Sequence, residues 1–175
     1  MKKIALALAL SFILAGASHL ASAADGQVNF TGNITASTCS INGGVTAPQL
    51  VNLGNVPASS LMTSGQTAGA KNFAIELTGC TGGNTAVAAH FESLTLGNPA
   101  GRLNLDATSE ASNVEIALYD SMGALQPVNG VIPAQTFVTL TGGNATLNYV
   151  AAYYATGEAE VGTANSEVSY TLSYQ

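Results

Sequence analysis

From residue 24 onward, apolar side chains return at every second position, in short runs closed off by glycine, asparagine and proline. Phe73, Ile75 and Leu77 alternate with Ala74 and Glu76, and Val114, Ile116 and Leu118 alternate with Glu115 and Ala117. A period of two marks a strand with one buried face. It speaks against a helical bundle, which needs apolar residues three and four apart. "APQLVNLGNV", with Leu50, Val51, Leu53 and Val56, reads as a further strand, as do "TAVAAHFESLTL", "GRLNLDA" with Leu103 and Leu105, "QTFVTL" and "ATLNYVAAYYATG". Within these, Ala86 to Ala89 is ambiguous. Gly43-Gly44, Gly82-Gly83-Asn84, Gly97-Asn98-Pro99, Gly123 and Gly142-Gly143-Asn144 supply the turns. Short strands at this spacing predict one all-β domain, a sandwich of two antiparallel sheets.

Residues 1–23 stand outside that pattern. Lys2 and Lys3 precede an apolar run from Ile4 to Ala17, and Ala21-Ser22-Ala23 forms a small-x-small cleavage site. This is the build of a secretion signal, and the run is shorter than the roughly 20 residues that span a bilayer. Cleavage leaves only Lys71 and Arg102 as cations against ten acidic residues. Such a surface offers no electrostatic footprint to nucleic acid or anionic lipid.

Export sets the chemistry expected of the two remaining cysteines, Cys39 and Cys80. An oxidising compartment and an even count predict one disulfide between them. No metal site is expected, because there is no CxxC pair and His90 is the sole histidine after residue 23. No catalytic residue is singled out either. His90 lies in a strand-like run, no serine sits in a GxSxG elbow, and the glycine-rich pieces lack a following Lys-Ser or Lys-Thr. Glu158 and Glu160 share one face, yet read as a solvated acidic turn rather than a glycosidase pair. Asn29, Asn33 and Asn144 begin N-x-T triplets, as expected by chance in a chain rich in Asn and Thr.

Two strands stand apart from the rest. In "QVNFTGNIT", Val28, Phe30 and Ile34 share one face, and Gly32 occupies a position on that face without a side chain. At the other end, Val168, Tyr170, Leu172 and Tyr174 line one face of "EVSYTLSYQ". Spacing alone leaves open that both are ordinary sandwich strands.

These residues resemble a family. From about Gly26 to Gln175 the chain is similar to structural pilins of the bacterial chaperone–usher pathway, most of all the major subunit of type 1 fimbriae. "QVNFTGNIT" followed by Cys39, "FAIELTGC" ending on Cys80, "AAYYATG", and "VSYTLSYQ" carry the resemblance, with the spacing of Gly162 and the penultimate Tyr174. It implies an incomplete immunoglobulin-like antiparallel β-sandwich, completed by a donor strand from another subunit. Residues 24–36 are then the donor extension, with Val28, Phe30, Gly32 and Ile34 entering a neighbour's groove, and residues 37–175 the pilin domain. Gly162, Val168, Tyr170, Leu172, Tyr174 and Gln175 are expected at the groove and at the contact with a periplasmic chaperone. The implied partners are identical or related subunits in a head-to-tail polymer, that chaperone and an outer-membrane usher. The implied location is an extracellular fimbrium reached through the periplasm, with no cofactor, catalysis, nucleic acid or small-molecule substrate. A self-complete carbohydrate-binding sandwich and a minor adaptor pilin are the alternative readings.

Overall fold

The computed structural model describes residues 28, 29, 31, 39–42, 48–93 and 98–175. Contacts divide the chain into two units, Met1–Ile34 and Thr35–Gln175. The second carries the regular structure among the described residues: β1 (Ser40–Ile41), β2 (Thr67–Thr78), β3 (Ala86–Glu92), β4 (Val114–Asp120), β5 (Val138–Thr139), β6 (Ala145–Ala155) and β7 (Ser169–Tyr174). They form a four-stranded sheet in the order β1-β2-β6-β4 and a three-stranded sheet in the order β5-β3-β7. Every pairing is antiparallel.

Register follows from the alternation. β2 meets β6 with Phe73 opposite Tyr149, Ile75 opposite Leu147 and Leu77 opposite Ala145. β4 sets Leu118 opposite Ala151. In the other sheet Val87 faces Tyr174, Ala89 faces Leu172 and Phe91 faces Tyr170. A slip by one residue would turn each of these sets to the solvent. The inner faces meet in one core that joins Ile75, Leu77, Leu118 and Leu147 of the first sheet to Val87, Ala89 and Phe91 of the second. Phe91 packs edge-on against Tyr149 across the gap, with ring centroids 4.9 Å apart. The alanine run from Ala86 to Ala89 is therefore strand.

The turn at Gly142-Gly143 has positive φ at both glycines, 58° and 76°. Thr141 and Asn144 exchange backbone hydrogen bonds of 2.9 and 3.1 Å across it. This is the two-residue hairpin whose twist suits its flanking strands. Cys39 and Cys80 are bonded as expected, tying the chain ahead of β1 to the residues that follow β2.

Three expected strands are not built as such. Residues 48–57 join no ladder: the Gly54 amide turns back onto Asn52 Oδ1 at 2.9 Å, and Pro57 leads into a one-turn 3-10 segment, Ala58–Ser60. "QTFVTL" supplies only the two residues of β5. Pro133 starts a second 3-10 turn, Ala134–Thr136, in which the Thr136 hydroxyl donates to the Pro133 carbonyl at 2.7 Å. Leu103 makes a single bridge to Ile116 in place of a strand through "GRLNLDA".

Candidate functional site

The core is not covered equally on all sides. Ile75, Leu77 and Leu147 are buried, whereas Tyr170, Leu172 and Tyr174, on the core-facing side of β7, and Val168, just ahead of it, are only half-buried. Val51, Phe73, Leu105 and Tyr153 share that condition, packed against the core without being enclosed by it. β7 is the outermost strand of its sheet among the described residues, laddered to β3. A row of apolar side chains, half-buried on an outermost strand, can accept further apolar surface laid alongside.

An aromatic floor lies beneath that strand. Phe73, Phe91, Tyr149 and Tyr170 contact one another in a chain, with centroid separations between 4.9 and 6.5 Å and mostly edge-to-face. Tyr149 is 3% exposed. Burial first of all drives its hydroxyl up to about 12; the Ala89 backbone amide opposes the shift, and the Asp120 charge adds to it. Burial also raises Tyr170. At the far end of β7 the Gln175 carbonyl accepts from the Thr85 and Ala86 amides at 2.6 and 3.1 Å, and the Tyr174 hydroxyl donates to Cys39 Sγ at 3.3 Å.

Ahead of β7, a cavity of about 570 Å³ opens, with Val56, Leu61, Val114, Tyr153 and Ala159 among its walls and Gly162 on its lining. Leu61, Ala155 and Ala159 form a second, smaller core beside it. Gly162 is where two stretches of backbone close together. A Cβ there would stand 2.3 Å from the Ala111 nitrogen and 2.4 Å from the Glu110 carbonyl carbon. The Glu110 and Ala111 amides both donate to the Thr163 carbonyl at 3.0 Å, so the approach is locked in place. The segment that Gly162 approaches is this chain's own 110–111.

Of the residues expected in a donor strand, Val28 is exposed, and Phe30, Gly32 and Ile34 lie outside the described residues. His90 sits on the outward side of β3, opposite Thr171. Glu160 accepts from the Ser112 hydroxyl, and Asn144 braces its turn through Gly142 and Gly79. Among the described residues no three His, Cys, Asp or Glu gather as metal ligands would. Sequence reasoning missed the cavity walls. Val56, Leu61 and Ala159 lie outside the ladders, and Ala159 belongs to the stretch read as an acidic turn.

Comparison with known proteins bears on this arrangement. A family model described as fimbrial protein matches residues 28–175. The major fimbrial subunit SMF-1 of Stenotrophomonas maltophilia (strain K279a) is 41% identical over 170 residues, covering 93% of this chain and 99% of that protein. The type-1 fimbrial protein A chain of Escherichia coli (strain K12) is 31% identical over 185 aligned positions, covering 100% of this chain and 99% of that one. The crystal structure of the P pilus rod subunit PapA superposes with a TM-score of 0.62 at 20% identity, over 78% of this chain and 99% of that one, a likeness of fold.

Proposed function

The chain belongs to the fimbrial protein family, and from that membership we propose that it is a structural pilus subunit, joined to its neighbours by donated strands. Residues 24–36 of one copy are the donor, and the domain over residues 37–175 of the next is the acceptor. The observation that carries this reading is the half-buried face of Tyr170, Leu172 and Tyr174 on an outermost strand, continued by Val168 just ahead of it. Adding a strand to a sheet edge is a general recognition mode, of which chaperone–pilin complexes are a known example. Val28, Phe30 and Ile34 have the alternation to cover such a face, each contributing about 1.5–3 kcal/mol when fully buried. Gly32 suits a point where the seat leaves no room for a side chain. Contacts of this kind are head-to-tail and do not close, so they build a filament.

The remaining steps belong to the same proposal. Residues 1–23 direct export and are removed. A periplasmic chaperone covers the acceptor face until an outer-membrane usher exchanges it for the next donor, and the filament stands on the cell surface. The work is assembly and display, without catalysis. The experiment is Gly32→Leu in the donor: filaments should disappear from the surface while chaperone-bound subunit persists in the periplasm. Normal filaments from that variant would refute the donor assignment.

A further inference from the structure

β2 is not a regular partner to β6 along its whole length. Ala68 pairs with Tyr153 and Lys71 with Ala151, so β2 takes three steps, from 68 to 71, where β6 takes two, from 153 to 151. The extra residue makes a β-bulge, of the kind that opens on a glycine in the left-handed region. Gly69 has φ 70°. A Cβ on it would stand 3.1 Å from the Leu53 carbonyl oxygen, from Tyr153 Cδ2 and from Val56 Cγ1.

Those contacts explain how residues 53–56 keep their place without joining a ladder. Leu53 is buried in the main core, and Val56 packs against the smaller one. The chain between them lies against the bare backbone of Gly69, and the Tyr153 hydroxyl reaches the Gly54 carbonyl at 3.4 Å. The same stretch lines the cavity ahead of β7. Gly54, Asn55 and Val56 contribute to it, as do Gly162 and Thr163 from the run that leads into β7. A side chain at position 69 would therefore press directly on a stretch that shapes the cavity.

We propose that Gly69 is a positioning residue for strand acceptance: its bulge seats residues 53–56 so that the cavity is formed before a donated strand arrives. The inference rests on the donor reading above, in which residues 24–36 of a second copy lie along β7 and, continuing past Val168, along this cavity. A seat built in advance spares the incoming strand the cost of ordering it. Where the seat is formed only part of the time, capture slows by that fraction, while a strand already in place leaves at its usual rate. Bulges recur beside functional sites, where they aim neighbouring groups.

The test is the rate at which the mature chain captures a fluorescent peptide of residues 24–35, with the peptide in large excess over the chain's own donor segment. The wild type should bind; failure to do so overturns the donor reading and this inference with it. Gly69→Ala leaves the fold intact, because the neighbours at 3.1 Å need give by only a few tenths of an ångström, but it disfavours the left-handed backbone. Its association rate should fall about tenfold, with dissociation within about twofold of the wild type. Gly69→Val, whose branched side chain tolerates that backbone still less, should be slower again. Should the valine variant not fold, the alanine variant decides alone. Association at the wild-type rate, even with Tm lowered, would show that Gly69 serves folding only, and would overturn the inference while leaving the donor reading intact. A loss carried entirely by faster dissociation would also overturn it, because position 69 would then act on the bound strand rather than on the seat.

Discussion

Gly162 is required for a side chain it does not have. Alanine there would press a carbon into the Glu110–Ala111 backbone, to within 2.3 Å of a nitrogen. Relief means parting two segments that share hydrogen bonds at Thr163. Gly162→Ala should therefore cost about 1–3 kcal/mol in urea unfolding, and an unchanged midpoint would show that the segments separate freely. Tyr149 makes the opposite case, of a polar group kept where water does not reach. Its folded value is raised to about 12 from an ordinary 10, so above pH 10 the unfolded chain releases the proton first. Stability from this group is thus intact below about pH 10 and declines as pH rises toward 12, by about 2–3 kcal/mol in all. Tyr149→Phe should flatten most of that decline in unfolding free energy measured from pH 9 to 12. A decline as steep as that of the wild type would assign it to other groups.

At the scale of elements, β7 combines the demands of core and interface. Its apolar residues complete the second sheet's inner face, and they also carry the incompletely covered surface. Leu172→Ala should lower subunit stability by about 1–2 kcal/mol. It should also weaken binding of a synthetic peptide of residues 24–35 by about tenfold, read by fluorescence anisotropy. Equal affinity for both forms would place the peptide elsewhere. This strand was legible in the sequence because its alternation is uninterrupted; so were β2, β4 and β6, for the same reason. Residues 48–57 and "QTFVTL" misled because apolar residues recur there while proline and an asparagine side chain divert the backbone from any ladder. The cavity walls were not legible at all. Val56, Leu61 and Ala159 become neighbours only after the sheets have formed, and no local period announces a contact made by loops.

For the whole molecule, one covalent bond does more than any single packing contact. Cys39 and Cys80 close a loop across 41 positions, and Cys39→Ser should lower unfolding free energy by about 4 kcal/mol. Retention of wild-type stability under reducing conditions would show that packing alone holds the loop. The charge pattern also acts at this scale. Arg102 bonds Glu115 and stacks 3.9 Å over the Tyr154 ring, so one of the two cations beyond residue 23 is committed to holding β4 and β6 together.

The place of the sulfur bridge has a mechanical meaning. Were residues 24–36 donated to a neighbour as proposed, a pull along the fibre would enter the domain on the N-terminal side of Cys39. The element it meets first is β1, whose two residues would peel from β2 like the end of a tape. The bridge would pass that tension directly to Cys80, just beyond the end of β2. A covalent link would then carry the load, and the two-residue β1 would be spared the strain.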